Sequence, residues 1–292
     1  AGSFFPNGAY FTRNIQNTIW DNSVILSYSK PVLEKLTIAA RLGGNMRNDV
    51  YTSDNVTSQN QLARNLFRHG NFIDNVARDE TEEQTRMGIF GEVTFDYSNF
   101  LYLNFAGRND WTSTVEPENR RIFYPSASIS FIPTSAFTGL DGGFVNFLKL
   151  RAGVGTSAGF PRPYQTRNTL DQNARAWLNT AGAALQSHAV NDGLGNPNLK
   201  PELHTEFELG IEGKFLNNRL GIDLTVYRRD TRDLITNAPL DPATGYTGTT
   251  INIGKIRNQG IELSATVTPV VTKDFNWDMT LTFSRNTPEV LD

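Results

Sequence analysis

Four consecutive side chains, Arg108, Asn109, Asp110 and Trp111, bring two opposite charges, an amide and an indole together in "GRNDWTSTVEPENRRIFYPSASISF" (107–131). Carboxylates recur nearby as Asp110, Glu116 and Glu118, and again as Glu202, Glu206 and Glu208. A glycosidase needs only two carboxyl groups at a set separation. Spacing along a chain does not fix separation in space, however, and solvated carboxylates are the commoner explanation. No set of nucleophile, base and orienting group is visible, so no enzyme is expected. The chain has no cysteine, and His69, His188 and His204 lie far apart without a shared motif. Neither a metal centre nor a cofactor is expected from such a set. Arg108, Asp110 and Trp111 have a structural reading: a polar cluster where a strand ends satisfies the turn's backbone groups and pairs its own charges. Ligand contact is expected instead from loop aromatics with Asn and Asp neighbours, namely Tyr164, Trp177 and Tyr246. Such faces suit sugars or peptides, and equally a partner's lid.

The elements that must position these residues are read from periodicity. Apolar residues alternate with polar or small ones. Leu36, Ile38, Ala40 and Leu42 share one face, as do Leu101, Leu103 and Phe105. Phe207, Leu209, Ile211 and Phe215 oppose Glu206, Glu208, Glu212 and Lys214. Leu220, Ile222, Leu224 and Val226 oppose Asp223, Thr225 and Tyr227. Ile261, Leu263 and Val267, then Trp277, Met279, Leu281 and Phe283, continue the scheme. Only "DQNARAWLNTAGAAL" (171–185) has the composition of a helix. The fold class is therefore all-β, with about ten strands of roughly 9 to 14 residues, a length that suits bilayer crossing.

Short links ("SKPVLE", "DYSN", "LNNR", "PVVTKDF") alternate with long polar ones near 45–84, 109–121, 157–202 and 231–250. Membrane barrels sort their loops this way, short on the periplasmic rim and long outside. Unpaired charges such as those of Glu206, Glu208 and Glu212 do not enter a dry core; they face a hydrated lumen or, in the alternative, the solvated side of a soluble sheet. A mean hydropathy of -0.38 does not decide between the two, because a barrel wets every second residue. Tyr97, Phe100, Phe131, Phe215 and Trp277, near strand ends, fit interfacial girdles. No stretch approaches the ~18 apolar residues of a membrane helix. A net charge of -3 provides no polybasic field for nucleic acid. The abrupt start at "AGSFFPNGAY" suggests a fragment.

The stretch "LYLNFAGRNDWTSTVEPENRRIFYPSASISFIPTSAF" resembles the barrel of SusC/RagA-type TonB-dependent transporters, in which an R-N-D-W-S-S-type turn precedes an F-Y-P-S strand. "LKLRAGVGTSAG" (148–159), "NPNLKPE" (196–202), "TGYTGTTINIGKIRNQGIEL" (244–263) and "WDMTLTFSRNTPEVLD" resemble further segments of that family, in its order. Residues 1–85 agree only in alternation and in "SYSKP", and Pro288 departs from the family's N-x-N-x-V pattern. The resemblance implies that residues 1–292 are part of a large antiparallel transmembrane β-barrel of about 22 strands. The family's plug domain and TonB box have no counterpart in this chain. It further implies import of an oligosaccharide or oligopeptide across the outer membrane of a Gram-negative bacterium. A SusD-like surface lipoprotein would serve as lid, and the TonB complex would act through the plug. A passive porin or adhesin, and a secreted all-β glycan-binding module, are the alternatives.

Overall fold

The computed structural model describes residues 7–137, 139–140 and 143–291, with the side chains of 172–178 and 184–186 excepted. Its strands are β1 (Ala9–Leu33), β2 (Leu36–Gln61), β3 (Phe72–Tyr97), β4 (Leu101–Thr112), β5 (Arg121–Phe131), β6 (Val145–Gly159), β7 (Leu170–Leu178), β8 (Ala184–Val190), β9 (Gly193–Leu194), β10 (Glu202–Phe215), β11 (Leu220–Arg232), β12 (Ile235–Pro239), β13 (Gly248–Asn252), β14 (Lys255–Val271) and β15 (Asn276–Val290). Ten of them form one sheet in the order β1-β2-β3-β4-β5-β6-β10-β11-β14-β15. The remaining strands make a three-stranded sheet, β12-β13-β9, and the hairpin β7-β8. The ten-strand count matches the sequence reading; some lengths do not. β1, β2 and β3 have 25, 26 and 26 residues, well beyond the expected range.

The chain divides into two compact units. One comprises residues 1–22 and 46–86, and here the expected long loop at 45–84 is corrected. Strand pairing continues to Gln61 and resumes at Phe72, so only 62–71 connect. Polar side chains hold this ribbon together alongside a small aromatic cluster of Tyr10, Phe67 and the buried Phe72. Asn71 closes the tip, accepting from Ala63 N at 2.9 Å and donating to Ala63 O at 2.7 Å and Leu66 O at 2.9 Å. His69 lies between the hydroxyls of Thr12 (2.7 Å) and Ser58 (2.8 Å), against the Tyr10 ring.

The other unit comprises residues 23–45 and 87–292. In an antiparallel pair, directly opposed residues share a face. The register lines up Phe131 with Leu101 and Leu150, and Leu150 with Ile211. Ile211 faces Leu224, Leu224 faces Leu263, and Leu263 faces Phe283. One face of the sheet is thus a continuous apolar surface, exposed at Phe105, Leu209, Ile211 and Leu281. The opposite face carries Arg151, Glu212 and Asp223, and strand alternation adds Glu206 and Glu208 to it. Tight turns close one edge: Ser98 and Asn99, and Leu216 to Asn218, take the positive φ that two-residue and short hairpins require. Near this edge runs an aromatic row with ring centroids 5.4 Å apart at Tyr97–Phe100, 6.1 Å at Phe100–Phe131 and 5.5 Å at Phe144–Phe215.

The expected helix at 171–185 is also corrected: its backbone is the hairpin β7-β8. Asn179 Oδ1 accepts from Ala181 N at 3.0 Å and Ala183 N at 2.9 Å, and Gly182 adopts φ +79. This local turn chemistry outweighs the helical preference of the flanking alanines.

Candidate functional site

Two polar constellations lie on the charged face of the sheet, and one lies among the connections. Arg108 and Asp110 are two residues apart on β4, so both side chains emerge on the same face. Arg108 Nε lies 2.7 Å from Asp110 Oδ1 and 3.0 Å from the Tyr124 hydroxyl, to which it donates. Its Nη2 donates to Asn45 Oδ1 at 2.7 Å, and the Tyr124 hydroxyl donates to Asp110 Oδ2. Glycine at position 88 gives this group room, since a Cβ there would overlap both the guanidinium and the carboxylate. Phe90 lies under the guanidinium, 5.6 Å from ring centroid to Cζ. Trp111 has the opposite parity and faces Arg121 across the ladder, so the structure does not bring it to Arg108 and Asp110. The pair also lies within β4, short of the turn.

The second constellation centres on Arg151, which the sequence reading did not single out. It reaches Glu208 Oε1 at 3.2 Å, Asp223 Oδ1 at 2.8 Å and Thr225 Oγ1 at 2.5 Å, spanning three strands. Gly210 makes the reach possible: a Cβ there would collide with the arginine side chain. Arg229 pairs with Glu206 at 2.5 Å. A groove of about 560 Å³ opens here, lined by Ser128, Lys149, Arg151, His204, Glu206 and Arg229 among others. Glu206 and Glu208 are engaged by arginines, an arrangement that suits a hydrated wall, while His204 holds the Thr231 hydroxyl at 2.8 Å and lies 3.3 Å from Glu202.

Among the connections, Arg167 grips Glu116 with two hydrogen bonds, Nε to Oε1 at 2.8 Å and Nη2 to Oε2 at 2.7 Å. The hydrogen bond from Arg167, with a second from Thr166, holds the Glu116 carboxyl down at about 2. Leu199, the apolar residue of "NPNLKPE", is fully buried. Its carbonyl accepts from Asn119 Nδ2 at 3.1 Å. Asn252 accepts from Lys200 N at 2.9 Å and donates to Lys200 O and Asp233 O at 2.8 and 2.9 Å. These contacts join the 113–120, 160–201 and 233–254 connections. Between them lies a cavity of about 330 Å³ lined by Tyr164, Gln165, Arg167, Asn237 and the backbone of Gly193 and Gly248. Tyr164 has φ 63, an uncommon conformation for an aromatic residue. Tyr246 accepts from Asn168 Nδ2 at 3.3 Å, and Asn168 Oδ1 accepts from Gly195 N. The Trp177 side chain lies outside the described residues. Partners 51 to 80 positions apart in sequence leave no local signal, which is why sequence reasoning missed this stitching.

The chain was compared with known proteins. The family model described as TonB dependent receptor-like, beta-barrel matches residues 2–289. TonB-dependent receptor P26 of Formosa agariphila is 27% identical over 288 residues, 96% of this chain and 28% of that protein. TonB-dependent receptor SusC of Bacteroides thetaiotaomicron is 28% identical over 225 residues, 73% of this chain and 22% of SusC. The RagAB peptide transporter structure superposes with a TM-score of 0.85 at 20% identity, covering 99% of this chain and 32% of that one. The outer membrane transporter YddB from Escherichia coli gives 0.60 at 13% identity, covering 96% and 34%. The chain thus spans less than a third of the length of these curated relatives.

Proposed function

The chain belongs to the TonB-dependent receptor-like β-barrel family, and from that premise we propose that residues 1–292 form part of the barrel wall of an outer-membrane nutrient importer. The observation that carries this reading is the division of one sheet into two opposite surfaces. Leu150, Leu209, Leu224, Leu263 and Phe283 make an apolar face with no polar partners, while Arg151, Glu208 and Asp223 form a charged network on the other. A barrel that is apolar to lipid and polar to its lumen needs this arrangement. The cargo is an oligosaccharide or oligopeptide, captured outside by the long connections through Tyr164, Tyr246 and Trp177. The likeness to the RagAB peptide transporter supports the peptide class, and the oligosaccharide class rests on the resemblance of the sequence motifs to SusC/RagA-type transporters. A SusD-like lipoprotein covers those connections, and the TonB complex drives passage through a plug. Arg108 and Asp110 brace the wall, and no covalent step is performed.

Energy dependence tests the reading. In cells carrying the full-length receptor, uptake of its oligomeric substrate is expected to stop when the TonB complex is deleted, with surface levels of the receptor unchanged. Uptake that continues at the same rate identifies a passive porin instead.

A further inference from the structure

Arginines crowd the lipid side of β11, β14 and β15 just beyond its apolar middle. The register places Leu224, Leu263 and Phe283 in one row across these strands. Moving toward the 233–254 connection, the next rows on the same face are Val226–Ile261–Arg285, Arg228–Gln259–Thr287 and Asp230–Arg257–Glu289. Arg232 opposite Lys255 completes the series. Five cations against two acids leave three net positive charges on a patch that borders an apolar surface.

Two of these arginines are held in fixed positions. Asp230 is buried, and its Oδ1 and Oδ2 accept from Arg257 Nε at 2.7 Å and Nη2 at 3.3 Å. The same oxygens accept from Arg228 Nε at 3.4 Å and Nη2 at 2.9 Å. One carboxylate thereby orients two guanidiniums, and Glu289, opposite Arg257, also acts on that arginine; the net excess of the patch comes from Arg232, Lys255 and Arg285. Each guanidinium has five N–H donors and spends two on Asp230. The others make no hydrogen bond among the described residues. Arginines that merely extend toward water would need no buried carboxylate to fix them.

We propose that this outward cluster binds the phosphate of an outer-leaflet lipid headgroup, whose acyl chains lie on the apolar rows through Leu224 and Val226. Planar guanidinium forks match the oxygens of a phosphate in pairs, and a site at the headgroup level is partly shielded from bulk water. Basic residues next to a lipid-facing surface attract anionic headgroups for the same electrostatic reason. The inference rests on the orientation proposed above, with the 233–254 connection outside.

The test uses the full-length receptor purified in detergent and three probes: phosphorylated lipid A, dephosphorylated lipid A and inorganic phosphate. The receptor is expected to bind the phosphorylated lipid about tenfold more tightly than the dephosphorylated one. Arg228→Gln with Arg257→Gln is expected to abolish that preference. Where the double variant does not assemble, Arg228→Gln with Lys255→Gln, which leaves the Arg257–Asp230 pair intact, is expected to reduce it. Equal binding of the two lipids, or an unchanged preference in assembled variants, overturns the proposal. Competition by inorganic phosphate at the lipid's own affinity overturns it too, since the site would then hold a free anion. Orientation is read separately, by labelling a Thr244→Cys receptor on intact cells. Labelling only after the outer membrane is opened defeats the importer's orientation, whatever the lipid result.

Discussion

Asp110 has 6% of its surface exposed and meets both Arg108 and the Tyr124 hydroxyl, so removing its carboxylate strands two half-buried partners. Asp110→Ala is therefore expected to cost about 1–3 kcal/mol. The 29% exposure of Arg108 favours the lower half of that range, because water screens what remains. Denaturant unfolding of the full-length receptor measures the loss, and substrate affinity of the assembled variant is expected to hold. Gly88→Ala attacks the same group from below by displacing the ion pair, and an unchanged stability would contradict the packing. Glu116 adds a pH-dependent contact. Its folded carboxyl titrates near 2 against an ordinary 4.5, so its hydrogen bonds to Arg167 contribute fully above 4.5 and are lost as pH falls toward 2. Protection of the amides at 113–120 relative to their intrinsic exchange rates is expected to fall over that window in the native receptor and to be low throughout in Glu116→Gln. From the sequence, the Arg108–Asp110 pairing was legible because the two residues share strand parity. Trp111 was grouped with them because four adjacent letters conceal that alternate side chains leave by opposite faces.

Along the strands, period two was the legible signal wherever one face is apolar, from Leu101 on β4 to Phe283 on β15. The same signal fades in β1–β3, where residues 46–61 and 72–86 pair through polar side chains such as Asn48 with Glu83 and Asp49 with Arg86. A ribbon held by hydrogen bonds needs no hydrophobic alternation, so these strands read as loop. The hairpin β7-β8 was hidden for a related reason: alanines carry a helical propensity, and the Asn179–Gly182 turn that overrides it spans only a few residues. Where periodicity does speak, it makes a sharp prediction. Leu209 faces Ala152 and Val226 on the apolar side and is 60% exposed, whereas Glu208 beside it bonds Arg151. Leu209→Arg is expected to cost about 2–4 kcal/mol if it sits near mid-bilayer. Glu208→Gln, which keeps a hydrogen-bond acceptor in a hydrated setting, is expected to cost less than about 1 kcal/mol. Refolding of the full-length receptor into lipid vesicles compares the two, and equal costs would mean that the faces have been assigned wrongly.

For the whole molecule, the motifs from 86 to 292 pointed to a SusC/RagA-type barrel portion, and the family match, the identity to SusC and the RagAB fold bear this out. The cavity among the connections was not legible, because it is assembled from residues such as Arg167, Asn237 and Gly248 that no local motif links. The sheet itself carries a further consequence. In the ten-strand order, β1 and β15 are the flanking strands, and among the described residues each pairs on one side only. A free strand edge in hydrocarbon leaves N–H and C=O groups without water or partner, at a cost of several kcal/mol for each group. Fifteen residues of β15 cannot bear that in lipid. Residues 1–292 expressed alone are therefore expected to give no heat-modifiable, protease-resistant species in vesicles, whereas the full-length receptor gives one. A resistant species of twice the chain's mass would show that a second copy supplies the missing edges. A resistant monomer would mean that ten strands close on themselves, which requires β1 to pair with β15 and is incompatible with the strand order seen here.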